Sequence, residues 1–159
     1  MSSYPILMIR IIFVGKVKEK WLRDAIDEYI KRISHFARIQ VDEVKDEKIL
    51  GKDEGTIKKK EGERILKLIK DDFVIGLDVE GDALESEEFA QALKKTRESH
   101  QNITFVVGGA LGLSDAVMKR CNMRLSLSRM TMTNQMVRLL LIEQIYRAFM
   151  IMAGRQYHK

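Results

Sequence analysis

The residues best suited to chemistry lie together at the end of the chain. Glu143 and Arg147 are four positions apart in an apolar stretch, so they share one face of a helix. A polar tail follows them, Arg155-Gln156-Tyr157-His158-Lys159. Histidine ordinarily titrates near neutral pH, which makes His158 a candidate proton acceptor. The plainer interpretations are a structural ion pair on a partly buried helix and a frayed terminus.

Basic charge is concentrated in the same part of the chain. The net charge is +5, but from Lys119 onward there are eight Lys and Arg residues and one acid, Glu143. The preceding 118 residues are therefore slightly acidic. This asymmetry indicates a polyanionic partner, nucleic acid foremost, at one end of the molecule. A solvated basic surface is the alternative.

A second candidate site follows the apolar segment 103–107. There the sequence Gly108-Gly109-Ala110-Leu111-Gly112 offers bare backbone that a ligand can approach closely. It matches neither the dinucleotide fingerprint nor the P-loop. It is either a tight strand-to-helix turn or one wall of a pocket for an adenosine-like ligand. The apolar walls of such a pocket would come from Leu77, Leu127, Met130 and Met132.

Several classes of protein are disfavoured. The histidines are far apart in sequence, and no Cys/His or paired-carboxylate spacing indicates a metal site, so none is expected. No hydrolase motif is recognisable. The single cysteine, Cys121, fits a reducing compartment and is most simply a small buried hydrophobe. The apolar segment 6–14 is short and interrupted by Arg10, so we expect a cytoplasmic protein with no signal peptide or membrane span.

Alternating hydrophobic patterns predict the elements that position these residues. Strands are predicted at 9–14, 39–44, 73–79, 103–107 and 125–128. Helices are predicted at 18–33, 61–70, 87–99, 114–121 and from about Asn134 to a stop at Gly154. The charged segment 46–60 is predicted to be a mobile loop, and 1–7 an N-terminal extension. The pattern indicates a single α/β domain over 1–159, with a mostly parallel sheet flanked by helices.

Several segments resemble one known family. They are IIFVGKVKEK (11–20), VVGGALGL (106–113), LSLSRMT (125–131), LIEQIYRAFMIMAG (141–154) and the terminal Tyr157-His158-Lys159. These segments resemble the bacterial 23S rRNA pseudouridine N3-methyltransferases, which belong to the SPOUT class of S-adenosylmethionine-dependent enzymes. The resemblance spans residues 8–159, and EQIYRA with a terminal Tyr-His-Lys is its most specific part.

The resemblance implies a fold, an assembly and a set of site residues. The C-terminal part would form a trefoil knot, and the protein would be a homodimer in which the tail of one subunit completes a site beside its partner's cofactor. S-adenosylmethionine would contact Leu77, Gly108, Gly109, Leu127, Ser128, Arg129, Met130, Thr131 and Met132. His158 would be the base, oriented with the substrate by Tyr157 and Arg155. The substrate-binding residues would be Asn134, Arg138, Glu143 and Arg147.

The implied reaction is methylation of N3 of a pseudouridine in 23S rRNA, on the large subunit or the assembled ribosome, without a metal. Two positions depart from the family: Thr133-Asn134 replaces a common Pro-His, and Leu111 stands where Asp or Asn is usual. Either change could shift the substrate. A non-catalytic RNA- or ribosome-binding module and a nucleotide-binding oxidoreductase are the rival hypotheses, and the missing dinucleotide fingerprint disfavours the second.

Overall fold

The computed structural model describes residues 5–49, 51 and 53–158, and within them five parallel strands form one sheet. The strands are β1 (Met8–Val14), β2 (Arg38–Val44), β3 (Phe73–Ala83), β4 (Asn102–Val107) and β5 (Met123–Ser126). The helices are α1 (Lys20–Ile33), α2 (Glu54–Leu68), α3 (Ser86–Arg97), α4 (Asp115–Arg120) and α5 (Met136–Met152). The strand order β2-β1-β4-β3-β5 confirms the predicted α/β architecture with a parallel sheet.

Helices cover both faces of the sheet. Because side chains alternate along a strand, Ile11 and Phe13 of β1 face the core formed with α1, α3 and α5, whereas Ile12 faces α2 and α4. The central strand β4 is buried from Ile103 to Val107, as expected for a strand covered on both sides. Burial of each such aliphatic or aromatic side chain stabilises the fold by roughly 1.5–3 kcal/mol. None of the helices in the described residues is long and apolar enough to cross a membrane.

The prediction of a loop over 46–60 is wrong in its second half, because α2 already begins at Glu54. The Asp53 side chain caps this helix by accepting a hydrogen bond from the Thr56 backbone N–H at 2.8 Å. Ile57 is buried, whereas the lysines that made the segment look like a loop lie on the outer side of the first turns. Tertiary burial of one apolar face thus outweighs the charged composition.

The glycine at position 62, which lies inside the predicted helix 61–70, is a close-packing residue. A Cβ built on Gly62 would overlap Ser114 Oγ and lie 3.1 Å from Ser114 Cβ and 3.2 Å from Val117 Cγ2. Ser114 itself caps α4 by accepting a hydrogen bond from the Val117 backbone N–H. The close approach of α2 to α4 therefore fixes the position of the residues next to Gly62.

The remaining boundaries differ by a few residues. β3 extends beyond the predicted end at 79 to Ala83, with a register shift between Leu77 and Asp82 in its pairing with β5. β5 ends at Ser126 rather than at 128, so the residues after it leave the sheet. Thr133 Oγ1 accepts a hydrogen bond from the Met136 N–H at the start of α5, and Gly154, at φ +66°, follows its end as predicted. The trefoil knot stays a prediction, and residues 1–4 and Lys159 lie outside the described residues.

We expect Gly62→Ala to destabilise the protein by about 1–3 kcal/mol, the usual cost of overpacking a tight contact. The measurement is the free energy of unfolding in urea. Gly55→Ala is the matched control, since Gly55 is exposed in the first turn of α2 and its nearest neighbour is one Asp53 carboxylate oxygen at 3.2 Å. Equal stability of the two variants would contradict the close packing at Gly62.

Candidate functional site at the carboxyl ends of three strands

A cleft lies beyond the carboxyl ends of β3, β4 and β5, where parallel α/β sheets bind ligands. Eight of the nine residues predicted for the cofactor line it: Leu77, Gly108, Gly109, Leu127, Ser128, Met130, Thr131 and Met132. The ninth, Arg129, is exposed in the same loop but is not part of the lining. Asn134, predicted for the substrate side, also lines the cleft. Asp78, Val79, Val107, Gly112, Leu125 and Val137 complete it.

The glycine-rich segment is both a tight turn and a wall of the cleft. The Gly112 N–H donates to the Gly109 carbonyl oxygen at 3.0 Å, and Gly112 has a left-handed φ of +85°. A Cβ on Gly108 would lie only 2.6 Å from the Gly112 carbonyl carbon, so no side chain fits there. Main chain thus packs on main chain inside the turn, and Gly108, Gly109 and Gly112 also line the cleft.

The opposite wall is the loop that follows β5. The Ser128 hydroxyl accepts a hydrogen bond from the Met130 N–H at 2.9 Å, and the Ser126 hydroxyl donates to the Ser128 carbonyl oxygen at 3.1 Å. Leu127 is half-buried against the cleft, whereas Met130 is 79% exposed. These bonds hold the loop in a compact turn instead of continuing the sheet.

A cofactor with a flat apolar ring and polar ends fits these walls. Leu77, Leu127 and Met132 give apolar surfaces, and Gly108 and Gly109 add backbone to the lining. Asp78 supplies a carboxylate at the edge, where Arg124 Nη1 lies 3.2 Å from its Oδ2. The residues present thus suit a nucleoside-type ligand that carries a charged end.

The polar residues of α5 and the tail form a second group. Glu143 Oε1 accepts hydrogen bonds from Arg147 Nε at 3.1 Å and Nη2 at 2.6 Å. The Tyr157 hydroxyl donates to the same oxygen at 2.9 Å and lies 3.3 Å from the Tyr29 hydroxyl. Arg147 also stacks over the Tyr157 ring at 4.8 Å. The tail to His158 is therefore packed against the protein rather than frayed.

Both ring nitrogens of His158 have partners. Nδ1 lies 3.1 Å from Arg147 Nη1, and Nε2 lies 2.6 Å from Glu87 Oε1 in the first turn of α3. A guanidinium can only donate, so Nδ1 is the acceptor, and in the neutral ring Nε2 carries the proton that is donated to Glu87. The geometry therefore selects one tautomer of the imidazole.

These contacts change the acidity of their partners. Burial, and then hydrogen bonding to Tyr29 and Glu143, raises the pKa of Tyr157, which keeps its hydroxyl protonated. The hydrogen bond that Arg147 donates to Glu143 raises the pKa of the Arg147 guanidinium. The pKa of the exposed Glu87 carboxyl is lowered, first by a hydrogen bond from the backbone N–H of Glu87 and then by the hydrogen bond from His158. His158 thus lies between a cation, Arg147, and an anion, Glu87.

A second pocket adjoins the cleft and lies next to this tail cluster, defined as Glu87, Glu143, Arg147, Tyr157 and His158. It shares Leu125, Leu127 and Met132 with the cleft and reaches Ser86 and Gln144 at its other end. The Ser86 hydroxyl donates to Gln144 Oε1 at 2.8 Å, and Gln144 Nε2 donates to Glu143 Oε2 at 3.2 Å. A continuous run of contacts therefore links the two candidate sites within one chain.

Arg138, predicted to bind substrate, is instead a buried structural residue with 1% of its surface exposed. Its Nη2 donates to the Val14 carbonyl oxygen at 2.8 Å and its Nη1 to the Gly15 carbonyl oxygen at 3.0 Å. Nε donates to the Asn134 carbonyl oxygen at 3.1 Å, and Glu43 Oε2 lies 3.4 Å from Nη1. Burial lowers the pKa of this guanidinium, and Glu43 opposes the shift.

Arg155 also lies apart from the tail cluster. It is exposed, and its guanidinium lies over the Phe36 ring at 5.3 Å. The residues that sequence reasoning missed are Tyr29, Ser86, Glu87 and Gln144. In the sequence Glu87 is only the first residue of the predicted helix 87–99, and nothing in its local sequence indicates a partner 71 positions away. In the described residues, no group of three His, Cys, Asp or Glu side chains could hold a metal ion.

The fold and the cleft define an α/β protein with a cleft suited to a nucleoside-type ligand beyond the ends of parallel strands. A model of the family described as "Predicted SPOUT methyltransferase" matches residues 7–158. The chain therefore belongs to the SPOUT methyltransferase family, which confirms the class predicted from its motifs.

Sequence relatives and a solved structure agree with this assignment. The chain is 50% identical over 157 residues to "Ribosomal RNA large subunit methyltransferase H" of Clostridium botulinum (strain Okra), covering 95% of this chain and 99% of the relative. The protein of the same name from Pediococcus pentosaceus is 51% identical with the same coverage. The tRNA (m1G37) methyltransferase of Aquifex aeolicus superposes with a TM-score of 0.53 at 15% identity, over 90% of this chain and 70% of that one, which shows the fold alone.

We expect Arg138→Met to lower the free energy of unfolding by about 3–5 kcal/mol, because it leaves buried oxygen acceptors unpaired. Arg129→Met is the control, since Arg129 is exposed and its replacement should change stability by less than about 0.5 kcal/mol. Both values come from denaturant unfolding monitored by circular dichroism. If Arg138→Met had the same free energy of unfolding as the wild type, the structural role of Arg138 would be contradicted.

Proposed function

We propose that this protein transfers the methyl group of S-adenosylmethionine to N3 of a pseudouridine in 23S rRNA. The observation that carries the proposal is the cleft at the ends of β3, β4 and β5, lined by the residues predicted for the cofactor, in a chain of the SPOUT methyltransferase family. The names of its relatives support a large-subunit rRNA substrate. Such a substrate implies a cytoplasmic location.

S-adenosylmethionine, when bound, supplies a methyl group already activated by its sulfonium charge, so the reaction needs no metal. The protein's part is to align the ring nitrogen with that methyl group and to accept the imide proton that must leave. Leu77, Leu127 and Met132 would hold the adenosine part, with Gly108 and Gly109 close behind it. Asn134, in the same cleft, would contact the substrate side.

His158 is the proposed proton acceptor, and Tyr157 the residue that orients it. In the packed tail both nitrogens of His158 are engaged, so one of them must exchange Arg147 or Glu87 for the substrate. Glu143 and Arg147 would then remain as an ion pair beside the nucleotide, with Arg147 available to a phosphate or to the developing negative charge. Arg155, at the exposed start of the tail, is proposed to contact the RNA. Arg138 is left out, because its hydrogen bonds go to the protein itself.

We also propose that two copies form a homodimer through the outer face of α5. Met136 and Leu140 are one turn apart on this helix and are 37% and 38% exposed, although the opposite face of α5 is fully buried. Met130, on the neighbouring loop, extends the apolar surface to the cleft. A second copy seated there would cover this surface and bring its own tail close to the first copy's cleft.

The function is tested by methyl transfer from labelled S-adenosylmethionine to ribosomes that lack this modification. We expect one methylated pseudouridine in large-subunit rRNA, located by nuclease digestion and mass spectrometry. Isolated 50S subunits and free 23S rRNA, assayed in parallel, identify the form of substrate that is used. Ribosome binding without any transfer, despite measurable cofactor binding, would favour the non-catalytic RNA-binding module.

The roles of His158 and of the dimer are tested together. His158→Ala should lower kcat by roughly 10²–10⁴-fold with unchanged affinity for S-adenosylmethionine, because proton transfer is lost while the cleft is intact. A cleft-blocked variant, Leu127→Arg, should bind no cofactor. Mixed dimers of these two inactive variants should regain up to about a quarter of wild-type activity if each tail serves its partner.

If the tail acts within its own chain, the mixture stays inactive, because every chain then lacks either the cofactor or His158. Light scattering of the same mixture shows whether dimers are present. Unchanged turnover of His158→Ala would remove His158 from the chemistry.

A further inference from the structure

A separate pocket adjoins the cleft on the side of the glycine-rich turn. It shares Gly109 and Asn134 with the cleft, so the two sites lie on either side of these residues. Its apolar walls are Ile49, Ile57 and Leu111, and Ile49 is 54% exposed. A flat ring held between such walls would lie directly beside the cofactor site.

The floor of this pocket is the carboxylate of Glu61, which is 5% exposed. Oε2 accepts a hydrogen bond from the Glu47 backbone N–H at 3.0 Å. Oε1 faces the glycine-rich turn, 3.0 Å from where a Cβ on Gly109 would lie, and accepts no hydrogen bond from the described part of the chain. Burial raises the pKa of this carboxyl, which reflects the cost of an incompletely bonded buried acid.

The position of Glu61 is rigid because of its neighbour. Gly62 packs directly on Ser114, as described above, so α2 cannot move inward or rotate without a clash. A Cβ on Gly109 would lie 3.0 Å from Glu61 Oε1 and 3.2 Å from Val14 Cγ1, so a side chain there would press on the Glu61 carboxylate. The chain thus keeps a buried acceptor with an open hydrogen-bonding position beside the cleft.

The charges around the pocket select the type of group that can enter. Glu47, beside Glu61, is paired with Arg64, but the Asp46 and Glu61 carboxylates remain to disfavour a phosphate at the floor, whereas an uncharged N–H donor would be favoured. Lys18 is exposed at the rim of the same pocket, where a phosphate could be contacted. This arrangement suits a nucleotide whose base points inward and whose backbone stays at the surface.

We propose that the Glu61 carboxylate accepts the N1–H of the target base and so selects pseudouridine over uridine. The inference rests on the proposed function. Pseudouridine differs from uridine on this edge by one additional ring N–H, and the pocket offers one buried acceptor with a free oxygen. N1 and N3 are separated by a single ring atom, so a base held through N1 turns its N3 toward the adjoining cleft.

The test compares two preparations of unmethylated ribosomes. The first has pseudouridine at the target position. The second has uridine there, because it comes from cells that lack the corresponding pseudouridine synthase. For the wild type, we expect kcat/KM to be higher on pseudouridine by about 10- to 100-fold, as for a hydrogen bond to a charged group. Glu61→Gln should lose most of this preference, through lower activity on pseudouridine and little change on uridine. Its affinity for S-adenosylmethionine should remain that of the wild type.

Glu63→Gln is the matched control, since Glu63 is exposed on the same helix and should keep the full preference. An equal loss of activity of Glu61→Gln on both substrates would overturn the proposal, because it would make Glu61 a structural residue or a general base. Equal activity of the wild type on the two ribosomes would also overturn it, without requiring that the variant fold. Failure of the wild type on both ribosomes would instead refute the proposed function, and this inference with it.

Discussion

The buried guanidinium of Arg138 is the interaction on which the rest of the site depends. It joins the first turn of α5 to the carbonyl oxygens of Val14 and Gly15 at the end of β1, and so determines where the last helix starts. The loop from β5 to α5 forms one wall of the cleft, and it must end where Arg138 anchors the helix. The far half of α5 then carries Glu143 and Arg147 to the tail. A single desolvated cation thus sets the geometry of both candidate sites.

The two sites use different physical means. The cleft is built from backbone and apolar side chains, with glycines that let main chain meet main chain, as at Gly108 and Gly112. The tail cluster is built from charge and directional hydrogen bonds centred on Glu143 Oε1. The first arrangement is suited to holding a bulky ligand firmly. The second holds His158 in place between Arg147 and Glu87.

The sequence predicted most of the sheet and most of the cleft, because both follow from local patterns. Apolar runs give the strands, and parallel strands bring their carboxyl ends to one edge, which places Leu77, Gly108 and Leu127 together. The start of α2 was missed because Ile57 is buried only through tertiary contact. The role of Arg138 was misjudged because a charged residue is normally exposed, and Glu87 was missed because its partner, His158, is distant in sequence. Such long-range pairs leave no periodic signal.

The docked tail has a practical consequence for handling the protein. His158 is held between Arg147 and Glu87, so any polypeptide fused behind the last residue would leave from the middle of that cluster. The other end of the chain is different. Since all five strands of the described sheet run parallel, residues 5–7, which lead into β1, lie at the edge opposite the cleft. Affinity tags and reporter fusions therefore belong at the amino end.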